Sequence, residues 1–307
     1  MITPFKLEPA YRDYVWGGRR LRPGTERTAE AWVVHEGNRI SDGPWSGLTL
    51  AEAAEKEPQA LLGSRPLAQS GQRFPLLIKL LDCAQWLSLQ VHPDDAQAKK
   101  LEGAGHFGKT EAWYIIEADD NAQLISGFRP GVTGEMVEEA LRGGTILDLV
   151  ERRAVRSGDL IFISAGTIHA LGPGLLLYEV QQTSDITYRV YDWDRKPTPG
   201  RSLHIEQAVA VLDPDKTGEF IPAGTENNLA ASEYFMLEKI SASEPVEINL
   251  QGQSFSLLTV VDGQARAVGA GWEFELARFE TLVMPAACSN YIVKMDANSS
   301  ALHAYMP

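Results

Sequence analysis

The chain has 307 residues, with 28 Lys and Arg against 41 Asp and Glu, for a net charge of −13. That balance argues against a nucleic-acid partner, because nothing supplies the basic stripe that phosphate neutralisation requires. It leaves room for a small anionic ligand held by a few local cations. The length suits one large or two smaller domains with a sizeable core. No stretch approaches the ~18 apolar residues of a membrane span, and Met1–Gly18 is charged with no apolar signal-peptide run. Cys83 and Cys288 are far apart in apolar surroundings, which predicts two reduced, buried thiols rather than a disulfide framework. The expectation is a cytoplasmic protein with no membrane association.

Along the chain, helical signals are few. Thr49-x-x-Glu52 has the form of a capping box opening a helix through TLAEAAEKEPQALLG. The run Phe74 to Asp82 is almost continuously apolar and predicts a strand covered on both faces. Short strands follow in WLSLQVHP, AWYIIEA and AQLISGF, then a helix capped by Thr133 and ended by Gly143 and Gly144. DLIFISA and LLLYEVQQ read as further strands, and Leu203 to Leu212 as a short helix with Ser202 as its cap. Asp213 to Asn228 is rich in turn formers and reads as a connection. Beyond it, seven or eight short strands separated by Gly or Asn turns predict a second all-β unit. The expected fold is mainly β: two jelly-roll β-sandwich domains, 1–220 and 221–307, with a few short helices in or flanking the first. The second domain is expected to lack a metal site.

Four dispersed segments carry candidate chemistry. Gln90 and His92 are at i and i+2 on a predicted strand, so both side chains leave one face, and Pro93 ends the strand. Lys109 and Glu111 share a face in the same way, either as an ordinary ion pair or as a metal carboxylate with a cation beside it. His169 follows a turn containing Gly166. Gln90, His92, Glu111 and His169 form a mixed nitrogen and oxygen set suited to one divalent ion with a position open to water or substrate. Zn²⁺ suits the imidazole-rich set best, and Mn²⁺, Co²⁺ or Fe²⁺ also fit such ligands. The fourth segment, Glu179 to Arg195, adds carboxylates and two arginines, which a phosphorylated sugar would require.

Together, Gln90-Val-His-Pro-Asp-Asp95, Gly108-Lys-Thr-Glu-Ala-Trp-Tyr114, Ala165-Gly-Thr-Ile-His-Ala170 and the Glu179 to Trp193 segment resemble type I mannose-6-phosphate isomerases of the short bacterial form. The resemblance begins at Tyr14-Val-Trp-Gly-Gly18 and Glu30-Ala-Trp32, includes Phe74 to Lys79, and extends to His204. It also includes the second cupin motif at Gly158, Gly166 and His169, with Ser164 where proline is usual.

The resemblance implies a cupin fold and a metal-dependent aldose–ketose isomerase acting on mannose 6-phosphate. It implies Gln90, His92, Glu111 and His169 as metal ligands and Arg189 as a catalytic arginine. Ser88, Lys109 and Arg195 are candidates for substrate or phosphate contact, Arg195 standing where longer relatives use lysine. The base is open among Glu179, Glu30, Asp185 and Lys109, with Glu179 placed first on the next strand after His169. Lys79, in an apolar run, reads as a pocket lysine or the partner of a site carboxylate.

Two other classes compete. A non-catalytic cupin would bind sugar phosphates around a structural metal, and an Fe²⁺ cupin oxygenase would use a nitrogen-rich set without phosphate-binding cations. The Lys109, Glu179 and Arg189 set counts against the first, and Gln90 with the Arg189/Arg195 pair against the second. A monomer or weak homodimer is expected.

Overall fold

The apolar run ending at Cys83 forms the strand Leu76–Cys83, buried along its whole length, as continuous apolarity predicts. In the computed structural model, residues 2–24, 27–196, 200–225, 228–241 and 244–307 are described. The chain groups into two compact units: Met1–Tyr11, Ala31–Leu80 and Thr225–Pro307 in one, Arg12–Glu30 and Leu81–Gly224 in the other. Two N-terminal segments thus group with the C-terminal strands from Thr225 onward. Phe5–Lys6, for example, pairs with Thr281–Met284, a long-range ladder that periodicity cannot reveal.

In the first unit a six-stranded antiparallel sheet runs in the order Phe5–Lys6, Thr281–Met284, Ser256–Asp262, Ser300–Tyr305, Met236–Ile240, Asn228–Ala231. A four-stranded sheet runs Val246–Asn249, Asn290–Met295, Gln264–Gly269, Trp272–Ala277. Alternation of exposed and buried residues along Asn290–Met295 points Tyr291 and Val293 inward, where they join Leu258, Val260 and Leu282 in one apolar cluster. The expected strands of the C-terminal part are therefore present.

The capping box forms: Thr49 accepts from the Glu52 N–H while Glu52 accepts from the Thr49 N–H. The helix it opens ends at Lys56, because Pro58 disfavours helical backbone at Glu57 and starts a new helix, Pro58–Leu62. A third helix, Ser64–Ser70, has no counterpart in the sequence reading.

The second unit carries the candidate residues. One antiparallel sheet runs Tyr188–Tyr191, Leu89–Val91, His169–Leu171, Gln123–Phe128, Val150–Ala154. Facing it, Glu219–Ile221, Leu160–Ile163, Glu111–Ala118 and Leu175–Gln182 form consecutive antiparallel ladders. Between them lies a core that includes Leu87, Trp113, Ile115, Leu124, Ile161 and Leu177. The outer face of the first sheet, with Leu89, Val91 and Ile125, is covered by Val137 and Leu141 of helix Gly134–Gly143 and Ala208 and Val211 of helix Ile205–Val211.

Three local details differ from the sequence reading. Helix Asp95–Leu101 follows the strand carrying Gln90, opened by a capping box between Asp94 and Gln97. Helix Ile205–Val211 has His204, not Ser202, at its N-cap position and no side-chain cap; Ser202 lies two residues earlier, its hydroxyl 3.5 Å from His204 Nε2. The connection from Asp213 contains the strand Glu219–Ile221, while its residues 226 and 227 lie outside the described set. Among the described residues no helix is long and apolar enough to cross a membrane. Cys83 is buried as expected, but Cys288 is only partly so, its thiol donating to the Ile2 carbonyl at 3.4 Å.

Candidate metal centre

Strand register places the candidates before any side-chain contact is considered. Arg189, Gln90, His169 and Ser126 stand opposite one another across four neighbouring strands. Directly opposed residues project from one face, so these four share the interior side of the sheet. On the facing sheet Glu111 opposes Gln181 and Trp113 opposes Glu179. His92 lies just past the end of Leu89–Val91, two residues from Gln90 and on its face. Gly166, at φ +88°, makes the turn that brings His169 into line, and its N–H donates to the His92 carbonyl at 2.8 Å.

One ligand atom from each of His92, Glu111 and His169 lies within 4.8 Å of the others, and all three residues are buried. His169 Nε2 is 3.3 Å from one Glu111 carboxylate oxygen, and His92 Nε2 is 3.7 Å from the other. The remaining ring nitrogens are occupied: His92 Nδ1 donates to the Ile186 carbonyl at 2.7 Å and His169 Nδ1 to the Thr167 carbonyl at 2.9 Å. Carbonyls only accept, so both rings carry their proton on Nδ1 and turn the Nε2 lone pair inward. Burial holds His169 neutral, pushing its pKa down from 6.5 to about 3. Two neutral imidazoles and a carboxylate with converging lone pairs are the donor chemistry a divalent cation requires. These three residues could hold a metal ion.

Lys109 and Gln90 complete this cluster. Lys109 Nζ is 2.6 Å from Glu111 Oε2 and 3.0 Å from His92 Nε2, so a fixed ammonium shares the ligand lone pairs. Gln90 turns its amide nitrogen to His169 Nε2 at 3.2 Å, while its oxygen accepts from the Ser88 hydroxyl at 3.2 Å. Turning the carbonyl inward would make Gln90 a fourth ligand, as the sequence suggests.

Glu179 is buried and accepts from the Trp113 indole N–H at 2.9 Å, and Trp113 stands edge-on to the His169 ring at 5.3 Å. Sequence reasoning misses Trp113. Its position two residues beyond Glu111 on the same face, and the need of a buried indole N–H for a partner, are the signals that could have found it.

Arg189 is largely buried, donates from Nη1 to the Ser202 carbonyl at 3.0 Å, and leaves its Nε without a partner. Burial, together with Arg201, lowers its pKa.

Arg195 is placed differently from a free phosphate ligand. Its guanidinium donates to Asp192, Gln85 and the Trp86 carbonyl. Arg201, also missed from the sequence, binds Asp192 through Nε and Nη2 at 3.0 and 2.6 Å. Two guanidiniums thus share one carboxylate, leaving a net positive charge on this loop. Glu30 is buried at the start of Glu30–Val34; burial and then Asp82 raise the Cys83 thiol, with smaller contributions from Glu30 and Glu179. Lys79 falls in the other unit, buried with its Nζ 5.5 Å from the centroid of the Trp32 ring.

A pair of antiparallel sheets enclosing a His–Glu–His cluster that could hold a metal ion defines a β-sandwich of the cupin type. Known proteins narrow the class. The type I phosphomannose isomerase catalytic domain matches residues 4–112. A mannose-6-phosphate isomerase of Streptococcus mutans is 35% identical over 99% of this chain and 99% of its own length. Mannose-6-phosphate isomerase ManA of Bacillus subtilis is 32% identical over 98% of each chain. In three dimensions the chain is similar to the crystal structure of the Bacillus subtilis mannose 6-phosphate isomerase, with TM-score 0.87, 30% identity and 99% of each chain covered. The chain belongs to the type I phosphomannose isomerase family.

Proposed function

We propose that this protein is a metal-dependent aldose–ketose isomerase that interconverts mannose 6-phosphate and fructose 6-phosphate. The observation that carries the reading is the convergence of His92, Glu111 and His169 with Lys109 in the interior of one β-sandwich, in a chain whose full-length relatives bear the name of that activity. Zn²⁺ is the proposed ion, held by these three residues with Gln90 as the fourth. A bound divalent ion supplies electrostatic stabilisation to the negative charge that develops on the sugar's O1 and O2.

The remaining steps fall to the chain's own groups. A base removes the C2 proton, the C2–H electron pair forms the C1–C2 double bond, and the C1 carbonyl pair moves to O1. The proton then returns to C1 as the carbonyl re-forms at O2, with a hydroxyl proton passing from O2 to O1. Glu179 is the proposed base: it is buried, held by an indole N–H that can only donate, and its charge acts on His169. Lys109 holds the oxygen on which charge develops, and Arg189, with a spare donor on Nε, orients the same end of the substrate. Ser88 orients Gln90 through its hydroxyl. The Arg195–Asp192–Arg201 loop is proposed as the phosphate-facing positive region, with Glu30 as a further substrate contact. The catalytic unit is proposed to be Arg12–Glu30 with Leu81–Gly224, and the enzyme a cytoplasmic monomer or weak homodimer.

Turnover of mannose 6-phosphate in deuterated water, followed by proton NMR, tests both the reaction and its route. Fructose 6-phosphate carrying solvent deuterium at C1 is expected. Sugar-phosphate binding without any product would favour a non-catalytic binding module.

A further inference from the structure

Two side chains outside the metal cluster hold the segment that carries Lys109. Asp95 Oδ1 accepts from the Gly108 N–H at 2.6 Å and from the Gln182 side-chain amide at 3.0 Å. Gln182 Oε1 in turn accepts from the Thr110 N–H at 2.9 Å. The two N–H groups flanking Lys109 are thus fixed by one bridge of two side chains, while the Lys109 N–H itself donates to the Pro93 carbonyl at 2.9 Å. Gln182 N–H also donates to the Thr110 carbonyl at 3.2 Å, so one residue grips both backbone polar groups of Thr110. The fit is close on the other side as well: a Cβ at Gly108 would come within 2.5 Å of the Asp94 backbone. Three consecutive residues therefore each aim their backbone N–H at a defined acceptor.

A lysine has four rotatable bonds, and its ammonium is located only as well as its backbone. Here the ammonium must sit at 2.6 Å from Glu111 and 3.0 Å from His92, inside a buried charge cluster where a small displacement leaves a charge unpaired. The bridge joins the start of the helix after His92, the turn before Glu111 and the end of the strand bearing Glu179. It ties together the segments that bring the proposed metal ligands, cation and base, without touching the ligand atoms.

We infer that Asp95 and Gln182 are positioning residues for the isomerisation, acting through Lys109 by fixing the Gly108–Thr110 backbone. The inference rests on the isomerase reading and on Lys109 acting in it.

A double-mutant cycle on the metal-loaded enzyme tests it. Asp95→Ala and Gln182→Leu should each lower kcat about 10- to 100-fold, the range for second-layer partners of metal sites, with KM changed less than about twofold. Asp95→Asn keeps the accepting oxygen and should restore most of the rate. Bound metal, measured by atomic emission, should stay at the wild-type stoichiometry, while amide hydrogen exchange at Gly108 and Thr110 should quicken about tenfold or more. In a Lys109→Ala background the same two substitutions should have no further effect on kcat. Losses that multiply with that of Lys109→Ala, loss of metal from the Asp95 and Gln182 variants, or unchanged kcat in Lys109→Ala would each overturn the inference while leaving the isomerase reading standing. Absence of turnover in the wild type would remove both.

Discussion

The interiors of the two units solve opposite problems with similar strands. Around the C-terminal strands, buried positions are mostly apolar or carry neutral hydroxyl pairs, although Lys79 of the same unit is also buried. Ser256 meets the Tyr291 hydroxyl at 2.9 Å and Thr259 meets Thr281 at 2.9 Å. Its one buried histidine, His303, pairs with Glu238 at 3.2 Å, and no second histidine joins it among the described residues. In the other unit the inward positions hold Gln90, Glu111, His169 and, beside them, Lys109 and His92, all at or near full burial except Gln90. Burying charges costs several kcal/mol per ion before pairing, whereas satisfied hydroxyl pairs contribute about 1 kcal/mol each. One interior is arranged for stability, and the other keeps charges where chemistry needs them.

That contrast breaks most severely at Glu111. Glu111→Ala should lower kcat/KM about a thousandfold, the rate equivalent of several kcal/mol of lost charge stabilisation. It should also destabilise the metal-free protein by about 3–5 kcal/mol, because Lys109 is left buried and unpaired. Replacing the pair together, Lys109→Met with Glu111→Leu, should leave the protein inactive yet as stable as the wild type or up to about 4 kcal/mol more so in urea denaturation. A double variant as unstable as Glu111→Ala would show that the charges stabilise the fold.

The pH dependence of the metal-free protein should sharpen the same point. His169 has a folded pKa near 3 against 6.5 unfolded, so the unfolded chain takes up a proton that the folded chain refuses. Its contribution is complete above about pH 6.5 and is lost as pH falls toward 3, by up to about 1.4 kcal/mol per pH unit. Denaturation curves of wild type and His169→Gln should diverge in slope by one proton across that window. Parallel curves would mean the ring is protonated in the fold. The smallest effect belongs to the other interior: Tyr291→Phe should cost about 1 kcal/mol or somewhat more, through the stranded Ser256 hydroxyl, and leave kcat/KM unchanged.

Much of this was legible because strands alternate. The i, i+2 relation placed Gln90 with His92 and Lys109 with Glu111, and both pairs meet in the folded site. Local rules also gave the helix caps at Thr49 and Thr133. What escaped depends on distance along the chain. The pairing of Phe5–Lys6 with Thr281–Met284 has no local signature, and sequence patterning alone cannot place the N-terminal segments with the C-terminal strands. The carbonyls of Thr167 and Ile186 that set the histidine tautomers are backbone atoms and leave no mark in composition. The second arginine on Asp192, Arg201, lies nine residues from it across a loop, a pairing with no local signature. The capping box at Asp94 was present in the letters but hidden by a strand assigned up to Pro93.

If the proposed function is right, the His92, Glu111 and His169 cluster binds one divalent ion on which isomerisation depends. The most direct measurement is mannose 6-phosphate turnover by chelator-stripped protein before and after Zn²⁺ addition, with metal content read in parallel and His169→Ala as the comparison. Stripping should abolish turnover, one equivalent of ion should restore it in the wild type, and the variant should bind the ion weakly and stay inactive. Full turnover by the stripped wild type, or restored turnover in His169→Ala, would contradict it.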